Sequence, residues 1–462
     1  MEGVTVRRVI RIAARRLIFL ILLPAAMSPA FAQIDGSSIG RGSPTDSSQP
    51  SNLQIARWFD RGEPERGLEA IRQATGQPAN APLAPAAIAM LLDIASVDLG
   101  HDRPPIAIYR IAYDAMTHPG YKDLGGLLGR RGVMVISAPT VRLMLATALL
   151  NEGYAGEAEP HLRALADPHM QSEAISAPGW RPAFQLGLAL EALARPEEAE
   201  LLYRRLLAGC AAGPCDQMFA DPLDRALVRV LIARGRAQAA VDYAAQLVER
   251  PIADDLNDFR QIDRLLLLAG ALAAAGEPAR AEATLRRAIA LAPAPLTRIE
   301  PGWSYPGENA RRQLADLLEA TGRAEAAEPI RRQQRDAIAA SPRTPVDGSA
   351  PRAATLALAH NLVLQRKTEA FAIYSILWSR TVASYGPATP QTLDVAEPFA
   401  RALLRAGRAG DALPPARAAL ATRTAGRFLG DAATVTQPDR DRACKRTEAA
   451  RLMVEAAWKA SR

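Results

Sequence analysis

Aromatic residues make up only 5% of this 462-residue chain. That is low for a protein whose core is built from β-sheets, where aromatic and β-branched side chains are favoured. Alanine, leucine and arginine are abundant instead, and all three are strong helix formers. Because 49% of the residues are hydrophobic, the chain can bury a sizeable core. The composition therefore predicts an all-α protein.

Histidine and cysteine are also scarce, with five and three residues. The histidines form no HExxH or other close metal-ligand spacing. A GxSxG match at Gly36–Gly40 (GSSIG) lies in a Gly/Ser-rich segment and lacks the flanking strand and helix of a nucleophile elbow, so we expect no catalytic residues, no metal and no cofactor. Cys210 and Cys215 bracket the short segment AAGP and are predicted to form a disulfide in an oxidising compartment. In a reduced, cytoplasmic chain they would be two free thiols. Cys444 is left unpaired and is expected to be buried in the last helix.

Long hydrophobic runs are missing, apart from Leu17–Leu23 (LIFLILL) near the N-terminus. This run is shorter than the roughly 20 apolar residues that span a bilayer. Five arginines precede it and Ala30-Phe31-Ala32 follows it, which is the three-part arrangement of a secretory signal. We predict a signal peptide at 1–32 and export to the periplasm or beyond, with an uncleaved anchor as the alternative. Residues 33–52 are rich in Gly, Ser and Pro, as in a flexible linker.

A dense basic patch is not evident either. The net charge is +7, but more than half of it lies in the predicted signal peptide. The remainder of the chain is only weakly basic, whereas nucleic-acid binding requires clustered positive charge. We therefore expect no nucleic-acid partner, and no membrane span once the signal has been cleaved.

What the sequence has in abundance is one repeated pattern. The segment Ala271–Pro293, ALAAAGEPARAEATLRRAIALAP, predicts two helices joined by a tight turn at Gly276, with Pro278 in the first turn of the second helix. In seven such segments a leucine precedes the turn by four residues, and an alanine follows it by about five. Such a hairpin cannot bury its apolar stripe alone and must stack on its neighbours. The predicted turns lie at Gly153, Ala194, Gly235, Gly276, Gly322, Gln365-Arg366 and Gly407.

These segments resemble tetratricopeptide repeats. The resemblance implies an all-α, right-handed superhelical solenoid of antiparallel helix hairpins, with degenerate leading repeats at 53–138, repeats at 139–435 and a C-terminal capping helix at 436–462. The late segments, such as Ser384–Thr392 (SYGPATPQT), are similar to the longer kinesin-light-chain type, although Ala388 stands where that family usually has histidine. In the best-matching unit, the family's spaced positions are met by Leu265, Leu268, Ala269, Leu272, Gly276, Ala281, Leu285, Ala288 and Pro293.

In the resembled family, the first helix of each hairpin lines a concave groove that holds a peptide. The resemblance therefore implies a non-enzymatic scaffold or adaptor that binds peptide segments of partner proteins. The positions that map to the groove form a mildly basic line, which would suit an acidic segment or a C-terminal carboxylate, since arginine donates paired hydrogen bonds. An ordinary solvated face is the alternative interpretation. The candidate peptide-binding residues are Arg225, Arg229, Arg312 and Arg401.

Two other functions remain open. An α/α toroid that acts on glycans is also built from helical hairpins, but it needs a carboxyl acid–base pair and an aromatic-rich cleft, and the chain has only five tryptophans. The repeats could also be a targeting module for a separately encoded enzyme. Two of the tryptophans, in Pro178-Gly179-Trp180 and Pro301-Gly302-Trp303, are predicted to be hydrophobic staples, with ligand contacts as the alternative.

Overall fold

The described part of the chain is built from α-helices. The computed structural model describes residues 50–60, 63–79, 81–95, 106–118, 137–170, 175, 177–212, 217–252, 257–299, 305–342, 348–425 and 437–461, and no strand occurs within these ranges. None of the helices found there is both long and apolar enough to cross a bilayer. The all-α prediction is confirmed. The helices are α1 (Asn52–Asp60), α2 (Pro64–Ala74), α3 (Pro85–Ala95), α4 (Ile106–Thr117), α5 (Ala138–Asn151), α6 (Ala155–Ala166), α7 (Ala177–Ala192), α8 (Pro196–Ala212), α9 (Gln217–Ala233), α10 (Ala237–Glu249), α11 (Asn257–Ala274), α12 (Pro278–Leu291), α13 (Pro306–Ala320), α14 (Ala324–Ala339), α15 (Ser349–Leu364), α16 (Glu369–Tyr385), α17 (Pro390–Arg405), α18 (Ala409–Ala425) and α19 (Gln437–Ala460).

The same tight turn joins the two helices of every hairpin from α5–α6 to α17–α18. One turn residue adopts a left-handed conformation, with φ between 57° and 82°. The next backbone N–H donates to the carbonyl of the leucine two residues before the end of the first helix, as Glu277 does to Leu272 over 2.9 Å. This bond satisfies a carbonyl that the helix leaves without a partner. The predicted turns are confirmed, and the left-handed residues are Gly153, Ala194, Gly235, Gly276, Gly322, Arg366 and Gly407.

The alanine that follows each turn is a packing residue. All seven of these alanines have a relative exposure of 0%, and the leucines before the turns have at most 3%. A larger side chain at these alanines would overpack the helix crossing, which costs about 1–3 kcal/mol. The packing role predicted for the repeat is therefore confirmed. The alanines are Ala158, Ala199, Ala240, Ala281, Ala327, Ala370 and Ala412.

The chain divides into two compact units, which are described separately. The N-terminal unit is Phe31–Val230 with Thr436–Pro438, and the C-terminal unit includes Leu231–Val435 and Asp439–Arg462. The predicted signal peptide and almost all of the predicted linker lie outside the described residues. The predicted domain boundaries and the right-handed superhelix stay predictions.

Each unit has its own hydrophobic core. In the N-terminal unit, one cluster joins α1–α4 to the start of α5, and a second runs through α5–α9. In the C-terminal unit, Leu452 and Ala456 of α19 pack into a cluster with Tyr374 and Phe399. The last helix therefore buries one apolar face against the hairpins of its own unit.

A glycine and a tyrosine fit together in the hairpin α7–α8. A Cβ atom added at Gly187 would lie 2.2 Å from Cε1 and 2.6 Å from Cζ of Tyr203. The Tyr203 side chain is fully buried, and its hydroxyl donates to Glu191 over 2.7 Å. The ring therefore occupies the space that any other residue at position 187 would need.

Three recurring glutamates each tie one hairpin to the next. A glutamate directly after the packing alanine accepts from an arginine four residues later in its own helix. It also accepts from the basic residue that follows the next turn. Because these glutamate side chains are only 13–17% exposed, the pairs are better shielded from water than ordinary surface ion pairs. The three glutamates, with their partners in the following hairpin, are Glu159 with Arg195 at 2.7 Å, Glu282 with Arg323 at 2.7 Å, and Glu328 with Lys367 at 2.6 Å.

Candidate peptide-binding surface

The four candidate arginines lie on the first helices of their hairpins, as the resemblance implies. Arg225 and Arg229 are on α9 in the N-terminal unit, one helical turn apart, so they share a helix face. Arg312 on α13 and Arg401 on α17 belong to the C-terminal unit. Peptide binding by these residues stays a prediction, and the contacts of each side chain differ.

Arg229 is bound to a carboxylate of its own chain. Its Nε and Nη2 donate to the two oxygens of Glu191 over 2.7 and 2.6 Å, and the Tyr203 hydroxyl donates to the same carboxylate. Burial opposes the charge on Arg229, but the hydrogen bonds and charge of Glu191 outweigh it and raise the pKa. Burial and the nearby Glu191 charge raise the pKa of Tyr203 well above its usual value. A peptide carboxylate would have to compete with Glu191 for Arg229.

A related network lies at the matching positions of the hairpin α13–α14. Arg331 has a relative exposure of 4%. Its Nε and Nη2 each donate to Glu319 over 2.9 Å, and Nη2 also donates to Asp316. Asn361 of the following hairpin donates to Glu319 and to the Ala324 carbonyl, both over 2.9 Å. These carboxylates hold the pKa of Arg331 above its usual value, against the effect of burial.

The two networks share one arrangement. Glu191 and Glu319 both follow the leucine before the turn, and Tyr203 and Arg331 both lie 12 residues further along. In each case a residue of the next hairpin also donates to the carboxylate, Arg229 in one and Asn361 in the other. The glutamate thus connects three helices through side-chain hydrogen bonds alone.

Arg312 and Arg401 have more accessible guanidinium groups. Arg312 is exposed and donates to Asn309, one turn earlier, over 3.2 Å. Arg401 lies 3.7 Å from Glu448 of α19, with side-chain exposures of 42% and 59%. A pair this exposed is worth about 0–1 kcal/mol, so a ligand carboxylate could displace it. Arg225 is half-buried and interacts with other groups in the protein.

A buried tyrosine outside the candidate set lies on the second helix of the hairpin α15–α16. Tyr374 of α16 is 1% exposed and stacks on Phe399 of α17 with ring centroids 5.4 Å apart. Burial raises the pKa of Tyr374 to about 12, although the positive charge of Arg405 opposes that change. Loss of water around the ring lowers the pKa of His360, with charges on both sides adding smaller effects, among them that of Arg405. The charge of Arg405 thus acts on both Tyr374 and His360.

The other sequence-based predictions have mixed outcomes. Cys210, near the end of α8, belongs to a disulfide, but Cys215 lies outside the described residues, so their pairing stays a prediction. Cys444 lies in α19 as expected, and its side chain is outside the described set. Trp180 donates to the Ile175 carbonyl over 2.6 Å and packs on the core, in line with the staple interpretation, while Trp303 is not described. Within the described ranges, no three His, Cys, Asp or Glu residues cluster to hold a metal.

Comparison with known proteins finds weak structural likeness only. No protein-family model matches the chain, and neither does any curated protein. A crystal structure of the APC/C hetero-tetramer Cut9–Hcn1 is similar at 11% identity and a TM-score of 0.36. The match covers 86% of this chain and 62% of that one, less than two thirds of its length. The P58(IPK) TPR domain is similar at 14% identity and a TM-score of 0.20, with 80% of this chain and 99% of that chain covered.

These low TM-scores carry no information about function. The turns with left-handed residues, the buried alanines and the consecutive antiparallel hairpins are observations on this chain itself. They confirm the resemblance to tetratricopeptide repeats at the level of the fold.

Proposed function

We propose that this protein is an exported scaffold that binds acidic peptide segments of partner proteins, using the first helices of its hairpins. The proposal rests on how weakly the side chains of Arg312 and Arg401 are bound within the protein. Both lie on first helices, and among the residues that the structure describes their guanidinium groups are held only by a neighbouring asparagine or a loose surface ion pair. Arginine donates paired hydrogen bonds to carboxylates, so both side chains can contact an acidic partner.

The construction of the hairpins supports a binding role. The repeated alanine and leucine on either side of each turn are used in packing, as their burial demonstrates. Stacked repeats of this kind present extended surfaces on which a peptide can lie. The charged residues that remain on the first helices then determine which peptides bind.

A panel of peptides tests the proposal. The full chain would be screened against displayed random dodecapeptides, and the enriched sequences measured by fluorescence anisotropy. We expect enrichment of Asp- and Glu-rich peptides. The variant carrying Arg312→Glu and Arg401→Glu should bind them about tenfold more weakly or worse, because each lost charged hydrogen bond is worth about 1.5–3 kcal/mol.

A matched control separates the effect of the two binding residues on affinity from the effect of net charge. Arg287 and Arg417 are exposed arginines on the second helices α12 and α18 of the same unit. The variant with Arg287→Glu and Arg417→Glu has the same net charge as the test variant and should retain binding within about twofold, since distant surface charges are screened. Equal losses in both variants, or no enrichment of acidic peptides, would contradict the proposal.

Export is the second part of the proposal and rests on the N-terminal sequence. A tagged full-length chain, expressed in a bacterial host, should appear in the periplasmic fraction. Its N-terminal sequence should begin near Gln33. Retention in the cytoplasm, or an intact N-terminus on the membrane fraction, would contradict cleavage and export.

A further inference from the structure

Arg142 of α5 is a half-buried arginine that has a histidine as its partner instead of a carboxylate. Its Nε donates to Nδ1 of His161 over 3.3 Å, and this is its one hydrogen bond within the part of the chain that the structure describes. By contrast, Arg229 and Arg331 bond to carboxylates. Because Nδ1 accepts the bond from Arg142, it carries no proton, and the bond exists only while the imidazole is neutral.

Tyr113 of α4 completes a cluster of three side chains. Its ring meets the His161 ring edge to face, with centroids 5.6 Å apart and an angle of 88° between the planes. The guanidinium of Arg142 lies over the same tyrosine, 5.6 Å from the ring centroid. Both arrangements are favourable for an aromatic ring. Each of the three side chains therefore contacts the other two, and the cluster connects α4, α5 and α6.

The charged groups that act on His161 come from all three helices, and they are Arg110 and Asp114 of α4, Arg142 of α5 and Glu157 of α6. Burial lowers the pKa of His161 below 6.5, the two arginines lower it further, and the two carboxylates oppose the change. The folded chain thus binds this proton less readily than the unfolded chain. Folding stability therefore decreases as the pH falls below 6.5.

The cluster lies where α4 packs on the hairpin α5–α6. Three buried residues of α4 share an apolar cluster with Val141 of α5. The other polar connection between α4 and α6 is the ion pair of Arg110 and Glu157, whose side chains are 49% and 41% exposed. Such an exposed pair contributes little to stability. The contacts of His161 are thus the better-shielded polar connection between α4 and the hairpin.

We propose that His161 is an acid-sensitive lock, which holds α4 on the hairpin α5–α6 while the imidazole is neutral and releases α4 when it is protonated. A protonated Nδ1 cannot accept from Arg142. Arg142 then loses its hydrogen bond and faces a second positive charge at close range. Repulsion separates the two side chains and disrupts their contacts with Tyr113.

Release of α4 would expose the apolar surfaces that α4 and α5 bury against one another. Acidity would thereby change the surface that the N-terminal unit offers to a partner. The inference goes beyond the proposed function and does not depend on it, because Arg312 and Arg401 belong to the C-terminal unit.

Two measurements on the full chain test the lock together. Nuclear magnetic resonance follows the titration of His161, and His161→Gln assigns its signal among five histidines. Hydrogen exchange, corrected for the intrinsic effect of pH, reports the opening of α4 between about pH 8 and about pH 5, on both sides of the ordinary histidine pKa. We expect α4 to exchange about tenfold faster at the acid end, since a hydrogen bond of a charged group is lost. The midpoint should coincide with the titration of His161, and α10 of the C-terminal unit should keep its protection.

His161→Gln separates the titration from the hydrogen bond. Glutamine retains an acceptor oxygen for Arg142 but does not titrate. This variant should protect α4 as well as the natural chain does at about pH 8 and should lose the response to acid. The matched control is His360→Gln in the C-terminal unit, which should leave the response of α4 unchanged. Protection of α4 that does not fall with pH, or that falls equally in His161→Gln, would overturn the proposal.

Arg142→Met removes the donor and keeps the test decisive if His161→Gln does not fold. Exchange of α4 should already be faster at about pH 8 and should depend less on pH. The midpoint of His161 should move closer to 6.5 because one of the opposing charges is gone. Exchange and midpoint like those of the natural chain would show that Arg142 and His161 do not hold α4. That result, with acidic peptides still bound through Arg312 and Arg401, would refute the lock alone.

Discussion

Replacing Gly187 by alanine should destabilise the hairpin α7–α8 by about 1–2 kcal/mol. The added Cβ would lie 2.2 Å from the Tyr203 ring, and the ring cannot withdraw because it is fully buried and its hydroxyl is bonded to Glu191. Overpacking costs about 1–3 kcal/mol, and contacts this short belong in the upper half of that range. The better helix propensity of alanine returns about 1 kcal/mol.

Hydrogen exchange measured by mass spectrometry suits this prediction because it reports the opening of individual helices. A loss of about 1.4 kcal/mol lowers protection tenfold, so amides of α7 and α8 should exchange about tenfold faster. Gly410→Ala is the matched control: that helical glycine has no atom within 4 Å of an added Cβ, and protection there should stay constant or rise.

The double variant Gly187→Ala with Tyr203→Leu isolates the clash. Because the smaller side chain vacates the space, the two changes should be less destabilising together than the sum of the single changes, by more than about 0.5 kcal/mol. Unchanged exchange in Gly187→Ala, or strict additivity in the double variant, would refute the reasoning.

Three further predictions concern the C-terminal unit. Arg366→Gly should stabilise it by about 0.5–1 kcal/mol in thermal unfolding, because the left-handed conformation of Arg366 strains a residue with a Cβ; Gly322→Ala should do the reverse. The Lys367 hydrogen bond helps to lower the pKa of Glu328 to about 2 from 4.5. The contribution of ionised Glu328 to stability is therefore present above pH 4.5 and is lost as pH falls towards 2. Urea unfolding of Glu328→Gln should show lower stability at pH 7 and a flatter pH dependence in that window. Asn361→Ala should cost about 1–3 kcal/mol by hydrogen exchange of α13–α15, because it removes a buried amide that donates two hydrogen bonds.

Sequence spacing was sufficient to predict the hairpins. Leucine, turn residue and alanine recur at intervals that follow directly from helix geometry, and local backbone bonding then determines where each helix ends. The turn at Arg366 shows the strength of this logic, because the left-handed conformation occurs there without a glycine. All seven packing alanines were identified from their positions alone.

The contacts of the arginines could not be predicted in the same way. Whether Arg229 faces a ligand or Glu191 depends on how one hairpin is offset against the next, and spacing within a hairpin does not determine that offset. Arg331 occupies a position that holds a tyrosine in two other hairpins, and its burial depends on Glu319 being opposite. Comparing the residue that follows the leucine before each turn with the residue about 12 positions later would have revealed the hydrogen-bonded pairs.

The ion pairs between hairpins have a consequence for how the chain folds. Their partners are 36–42 residues apart in sequence, as are the side-chain bonds of Asn361. Each bond therefore closes a loop of about one hairpin, and the cost of loop closure grows only slowly with length. Chains with such local contacts fold quickly for their size, and folding can start at any hairpin and spread in both directions. A nascent chain could complete each pair of helices as soon as the next pair has been synthesised.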